Sequence, residues 1–471
     1  MFGLYLKYNK GRMRVMEGTK SNKDDRSIKS DPIKAFDDAQ VSGRHYKWAT
    51  LTAMGDFLDA GSIVAGAASV TYWVTYFKLS SLFLGVIAAL SPNAFAAWLG
   101  ALIAGPLGDK YGRKAIYTYD LIAYAIGALI ITISLNPFTL IAGYIIMGLA
   151  VGIDVPTSWA LIAEISPKRG RGRLMSFTNL FWYIGPIVVL LAAIGSSPLG
   201  VNTFRVLFGI LTASAIITWL LRRGIIESPR WAYIKGKKQV VQDALNKLGS
   251  GAQAEEGEKV EFSWTKLFKY WKGLALMIPL YIFWGVPAGT FGFFLPYIAN
   301  DAGIKSAALD DLIDIAWFAT AIIAIIVVYM TLGDKIDRNL TYAISAAICA
   351  LGFAIPIFLP ITILGVAMAN VVLFGFGQGV GLWPINRLWS VELFPTEIRN
   401  TAQGFVWAWM RFAIGLWSIF VPSIIAIIGY SAIAAVATAF FVVSIILAML
   451  FGPKSQGKSL EEVIRDFYKK E

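Results

Sequence analysis

The sequence predicts an all-α polytopic membrane protein with twelve transmembrane helices arranged as two six-helix bundles. Three observations predict it. First, 57% of the 471 residues are hydrophobic and only 15% are charged, with a mean hydropathy of +0.62, whereas a soluble domain carries about a quarter charged residues. Second, the apolar residues fall in stretches long enough to cross a bilayer, which takes about 20 residues each. Third, the second half repeats the first. Gly108-Asp109-Lys110-Tyr111-Gly112-Arg113-Lys114 returns as Gly333-Asp334-Lys335-Ile336-Asp337-Arg338-Asn339, and Glu164-Ile165-Ser166-Pro167 with Arg171 returns as Glu392-Leu393-Phe394-Pro395 with Arg399, at nearly the same offset. Such a repeat in a membrane chain points to two homologous bundles facing each other.

In chain order, the polar segment 1–47 precedes any apolar run, so it is read as a cytoplasmic tail and not as a cleavable signal peptide. Apolar runs then place spans at 48–77, 81–107, 115–135, 137–163, 174–196 and 203–222, which make an N-terminal bundle, 48–222. The one long polar insert follows at 223–272 and reads as a charged helix, a Gly-rich break and a second amphipathic stretch. Spans at 273–299, 311–332, 340–360, 361–391, 401–428 and 430–452 make a C-terminal bundle, 273–452, before a cytoplasmic tail, 453–471.

The connections alternate in charge. Lys110, Arg113 and Lys114 follow the second span, Lys168 to Arg173 the fourth, Lys335 and Arg338 the eighth, and Arg399 the tenth. The opposite connections are nearly bare: Lys78 follows the first span, nothing basic lies near Asn136-Pro137, and Lys305 is offset by Asp301, Asp310 and Asp311. Basic loops stay on the cytoplasmic side, so both termini and the insert are expected there, in the cell (plasma) membrane. The same placement accounts for the net charge of +12, which in a soluble chain would suggest a nucleic-acid partner; none is expected here. Cys349 and His45, the single residues of their types, support neither a disulfide, a zinc cluster nor a Ser-His-Asp hydrolase. No G-x-x-x-x-G-K-[ST] loop for ATP is present. Neither enzyme activity nor a metal or cofactor is expected, and His45 reads as a solvated residue ahead of the first span.

Ionisable groups inside spans are costly in hydrocarbon and carry function by default. Counting ~1.5 Å per residue from Trp48 puts Asp56 roughly 12 Å and Asp59 roughly 16 Å deep, on one helix face. The same count puts Asp154 roughly 15 Å from Glu164, Arg411 roughly 18 Å from Arg399, and Arg387 roughly 7 Å from Glu392. Asp59, Asp154 and Arg411 therefore converge near the midplane, with buried carboxylates in the first half and buried guanidiniums in the second. Two roles are open. One is a static ion pair between the halves, Asp154 with Arg387 or Arg411; the other is a carboxylate that takes and releases a proton as its side of the cavity alternates. An Arg stays charged and cannot do this. Asp59 is the first candidate carrier, followed by Asp154 and Asp56.

Several elements resemble known transporters. GPLGDKYGRK at 105–114 resembles the loop signature between spans two and three of the major facilitator superfamily, and AEISPKRGRG at 163–172 resembles the E-x-x-P-x-x-x-R-G element of its sugar porter family. ESPRW at 227–231, VELFPTEIRN at 391–400 and GKSLEEV at 457–463 resemble further elements of that family, and the resemblance runs from about residue 48 to 463. It implies the major facilitator fold and transport by alternating access. In that scheme charges at span ends pair across helices to hold the cytoplasmic side shut: Asp109, Arg113, Glu164, Arg171, Glu227, Arg230, Asp334, Arg338, Glu392 and Arg399.

Substrate choice departs from the sugar porter pattern. The span-five Gln position holds Asn179, the span-seven amide positions hold Phe283, Trp284 and Gly289, and span ten reads Gly381-Leu382-Trp383-Pro384-Ile385-Asn386-Arg387 in place of G-P-x-P-W. Gly152-Ile153-Asp154-Val155-Pro156-Thr157-Ser158 resembles the span-four element of phosphate:proton symporters, and an Arg inside span eleven is similar to organic-anion relatives. Two readings stay open: proton-coupled import of a small polar metabolite such as a sugar, or of an organic acid or other anion clamped by Arg387 and Arg411. Candidate substrate contacts are Asn179, Trp383, Asn386, Arg387, Arg411 and Phe293. The expected partners are the substrate, protons and the lipid bilayer, and the expected unit is a monomer. A non-transporting nutrient sensor is the remaining class, and the short tails offer it no signalling domain.

Overall fold

A computed structural model describes residues 32–249, 253–254, 257, 263–301, 307–333 and 335–469. The first 31 residues, Lys305, Asp334 and most of the expected Gly-rich break lie outside the described residues. A short helix, α1 (Pro32–Asp37), leads into α2 (Gly43–Phe77), the pair α3 (Ser81–Ala89) and α4 (Phe95–Tyr111), then α5 (Arg113–Thr132), α6 (Pro137–Ile165), α7 (Arg171–Ser196) and α8 (Thr203–Arg222). Three short helices follow: α9 (Pro229–Ile234), α10 (Lys238–Leu248) and α11 (Trp264–Lys269). The second half comprises α12 (Trp271–Asp301), α13 (Ala307–Ala324), α14 (Met330–Leu332), α15 (Arg338–Phe358), α16 (Leu364–Gly377), α17 (Trp383–Glu392), α18 (Arg399–Ile428) and α19 (Tyr430–Phe451), with α20 (Leu460–Tyr468) in the tail. Ten stretches among the described residues are long and apolar enough to cross a membrane; one of them, Arg171–Arg222, holds both α7 and α8. With the shorter α4 they give two sets of six.

Three expected spans are interrupted, the eighth, 311–332, by a π-turn at Ile325–Tyr329 between α13 and α14. The second, 81–107, breaks between α3 and α4 at Ser91-Pro92-Asn93, where proline lacks the N–H that a continuing helix needs. The tenth, 361–391, widens into a π-turn at Gln378–Leu382 between α16 and α17. There Gly379 lies so close to α13 that an added Cβ would fall 2.4 Å from the Ala321 carbonyl oxygen. The turn between α4 and α5 consists of Gly112 alone, at φ 105°, a left-handed conformation that favours glycine.

Hydrophobic side chains such as Phe138, Phe358 and Ile427 face outward, as a lipid-facing surface requires, so burial of apolar area cannot by itself hold the helices together. Close backbone contact does that work. An added Cβ on Gly100 of α4 or Gly152 of α6 would fall 2.3 and 2.2 Å from the opposing carbonyls of Leu149 and Ala97. The same device joins the two bundles, where a Cβ on Gly404 of α18 would fall 2.3 Å from the Ala101 carbonyl of α4. At the end that carries the charged loops, Phe36, Trp231, Val241 and Leu245 form a separate small core under α1, α9 and α10. His45 is not solvated as expected. It is buried, and its Nδ1 accepts from the Ser42 backbone N–H (3.1 Å), tying down the start of α2.

Candidate functional site

Two glutamates join the bundles at the charged end. Glu164, closing α6, accepts at Oε1 from Arg113 of its own bundle (2.9 Å) and from Arg399 of the other (2.9 Å). Glu392, closing α17, accepts from Arg338 of its own bundle (3.0 Å) and Arg171 of the other (3.3 Å). The sequence repeat is thus realised as two symmetry-related hubs, all six side chains buried. Asp109 acts differently. Besides its contact with Arg113 (3.2 Å), its carboxylate accepts from the backbone N–H groups of Asn400 (3.2 Å) and Thr401 (2.8 Å), capping α18 across the interface.

Glu227 and Arg230 do not bridge the bundles. Glu227 accepts from the N–H groups of Arg113 (3.0 Å) and Lys114 (3.1 Å) and so caps α5; burial pushes its carboxyl above the usual range against those bonds. Arg230 donates to Asp37 (2.6 Å) and pairs with Glu461, tying α1 and α20 to α9. Asp334 is outside the described residues.

Deeper in the interface lies a chamber lined by Asp59, Asn93, Arg411 and six tryptophans: Trp159, Trp182, Trp284, Trp317, Trp383 and Trp407. Its volume in this conformation is about 20 Å³, room for a water molecule and little more. Arg411 donates to both oxygens of Asp59 (2.8 Å each) and to Asn93 Oδ1 (2.6 Å), with its guanidinium 4.2 Å from the centre of the Trp407 ring. Arg387 pairs with Asp56 (2.9 Å) and donates to Asn179. Trp159 holds this pair from two sides, its N–H on Asp56 (3.0 Å) and its ring 4.2 Å from Arg387. The rings of Trp284 and Trp383 stack at 3.6 Å. The indole N–H groups of Trp317 and Trp383 are buried without a hydrogen-bond partner.

Residues 40–467 match the family described as Sugar (and other) transporter. The chain belongs to this family. It is a multi-pass membrane transporter, not an enzyme. Over 419 residues it is 36% identical to the minor myo-inositol transporter IolF of Bacillus subtilis, covering 88% of this chain and 92% of that one. Its fold matches the proton:xylose symporter XylE bound to 6-bromo-6-deoxy-D-glucose with a TM-score of 0.77 at 18% identity, over 90% of this chain and 99% of that one. Against the inward-open conformation of the xylose transporter XylE from E. coli the TM-score is 0.61 at 20% identity, over 88% and 98%.

Within this transporter fold the expected separation of buried charges by half does not hold. Arg222, at the end of α8, turns inward and donates to both oxygens of Asp154 (3.1 Å each). Asp154 therefore pairs inside its own bundle and meets neither Arg387 nor Arg411. Asp120 of α5 lies on the same guanidinium, 3.9 Å away. Of the expected substrate contacts, Trp383 and Arg411 line the chamber. Asn179 is instead taken up by Arg387, and Asn386 is buried with its Nδ2 toward the Leu280 carbonyl (3.5 Å). Phe293 packs edge-on to Phe294 while its neighbour Gly292 faces the chamber. Sequence reasoning missed Asp120, Arg222, Asn93 and the tryptophans of α6, α7 and α18. Asp120 sits inside the expected span 115–135, so the depth count that found Asp154 would have found it too. Arg222 had no such signal, because at a span end it reads as one more loop charge.

Proposed function

We propose that this protein imports a sugar or a neutral cyclic polyol together with a proton across the plasma membrane, as a monomer, with the charged end and both termini cytoplasmic. The aromatic chamber with its guanidiniums already neutralised carries this reading. An anion would have to displace Asp59 from Arg411 or Asp56 from Arg387, so the anion reading is not favoured. A polyol needs no free charge. The stacked Trp284 and Trp383 offer apolar faces to the C–H side of a ring, and the unpartnered indole N–H groups of Trp317 and Trp383 suit hydroxyl oxygens. The names of the similar proteins, which print myo-inositol and xylose, support the same class.

With the Glu164 and Glu392 hubs closed at the cytoplasmic end, this conformation is shut toward the cell. The lower TM-score against the inward-open form agrees with that. Import requires the hubs to open while the chamber closes outside. The proton carrier is drawn from the carboxylates buried at this depth, among which the sequence nominates Asp59, Asp154 and Asp56. The test is uptake into proteoliposomes under an inside-alkaline pH gradient, offering labelled myo-inositol, D-xylose, D-glucose, benzoate and phosphate. Accumulation of a polyol or sugar that collapses with the gradient is the expected result. Gradient-driven uptake of benzoate or phosphate alone would overturn the substrate class, and uptake indifferent to the gradient would overturn the coupling.

A further inference from the structure

Resting on the proton-coupled reading above, we propose that the exchangeable proton is held by Asp120 and Asp154, a carboxylate pair that shares the single guanidinium of Arg222. The case begins with the charges buried at this depth. Four carboxylates, Asp56, Asp59, Asp120 and Asp154, face three guanidiniums, Arg222, Arg387 and Arg411. Asp59 has Arg411 and Asp56 has Arg387, and each of those pairs is neutral. The surplus carboxylate belongs to the third group.

Arg222 has little left to give Asp120. Its Nη1 and Nη2 donate to Asp154, its Nε to the Leu51 carbonyl (2.8 Å), and Nη2 also to the Thr52 carbonyl (3.2 Å). Asp120 Oδ1 accepts from the Leu121 N–H (2.5 Å). Asp120 Oδ2 is buried with no hydrogen-bond partner, 3.9 Å from Nη1. An ionised oxygen buried in that state is costly. A proton on it makes the residue neutral and balances the cluster. Among the described residues the surrounding groups supply no other compensating charge: Tyr117 from α5 under the guanidinium (4.2 Å), Ser158 from α6 on Asp154 (2.9 Å), and from α2 Asp59 and Asp56, already committed to Arg411 and Arg387.

The pair is mechanically linked to the bundle interface through α2. Gly55 lies directly against Asp154, where an added Cβ would fall 2.1 Å from Oδ2, and the next residue, Asp56, grips Arg387 of the opposite bundle. The helix that loses its grip on Arg387 when the bundles rock is thus the one whose Leu51 and Thr52 carbonyls hold Arg222. In the step itself the Oδ2–H bond of Asp120 breaks, its proton passes to water on the open side, and the cluster is left with one negative charge until another proton binds.

The test uses the full chain in proteoliposomes with labelled myo-inositol. For one proton per solute, one pH unit supports about tenfold accumulation. Asp120→Asn is expected to lose that accumulation while keeping counterflow within about twofold of wild type, a split that a merely misfolded protein does not show. Asp154→Asn is expected to behave alike, since Arg222 is then free for Asp120, and it carries the test should Asp120→Asn fail to fold. Independently of any solute, titration of the detergent-solubilised protein should show wild type binding one proton more than Asp120→Asn. Wild-type-like accumulation in both variants, or an unchanged proton count, overturns the assignment and leaves proton coupling standing. Accumulation driven by sodium in wild type and lost in Asp120→Asn would replace the proton with a metal cation and overturn it as well. A wild type blind to the pH gradient sinks the coupling itself.

Discussion

Asp59 and Arg411 show how a buried ion pair constrains its own mutations. Arg411 spans both carboxylate oxygens of Asp59 and reaches Asn93 besides, a fork that only a guanidinium supplies. Removing one member of such a pair strands the other at a cost of about 3–5 kcal/mol, whereas removing both can be nearly neutral. Asp59→Asn is therefore expected to lower the melting temperature in detergent more than the double variant Asp59→Asn with Arg411→Gln. The double variant should recover stability without recovering transport. A single variant as stable as wild type would mean the pair is not buried as a unit. At this scale the sequence was partly legible: depth counting selected Asp56, Asp59, Asp154, Arg387 and Arg411, all of them buried. It could not assign partners. Side-chain direction decides whether Asp154 meets Arg387 or Arg222, and spacing along one helix does not carry that information.

Among the elements, long apolar helices were legible because twenty lipid-exposed residues leave a continuous signal, while their interruptions were not. The α3–α4 break and the π-turn before α17 depend on a proline and on glycines whose meaning comes from the neighbouring helix. The tail element GKSLEEV was read from a resemblance but the helix α20 within the tail was not, and its anchoring has a physical basis. Part-burial raises the Glu461 carboxyl, but Arg230, a backbone N–H, Arg399 and Arg171 together outweigh this and hold it below the usual range; Glu462 is held low by the Ser459 N–H. A carboxyl whose native pKa lies below its unfolded value stabilises the docked form wherever it is ionised, above about pH 4.3. That stabilisation fades as pH falls through the lower native value. Hydrogen exchange should find α20 protected and unchanged between pH 6 and 8, then progressively released only below about pH 4.3. Glu461→Gln should loosen it at neutral pH; equal protection in that variant would show that Leu460 and Val463, both buried, hold the helix alone.

For the whole molecule, we propose that the duplicated hubs set the balance between conformations. Each Glu joins one guanidinium from either bundle, and a hydrogen bond to a charged group contributes about 1.5–3 kcal/mol. Inverting a two-state population from 99:1 takes about 5.5 kcal/mol. One neutralised hub should thus shift the equilibrium partway and two should invert it. Ser390 on α17 is a suitable reporter, being fully buried and bonded to Tyr281 and Gln403; the one native thiol, Cys349, is buried too and can be replaced by alanine. A Ser390→Cys reporter in that background should react slowly with a maleimide applied from the charged end. Glu164→Gln or Glu392→Gln alone should speed labelling about tenfold or more, consistent with at least about 1.4 kcal/mol lost, and the two together should bring it close to that of a fully open pathway. If the double variant labels as slowly as its parent, closure resides in the glycine-mediated contact of α4 with α18 and the Asp109 cap, and the hubs only decorate it.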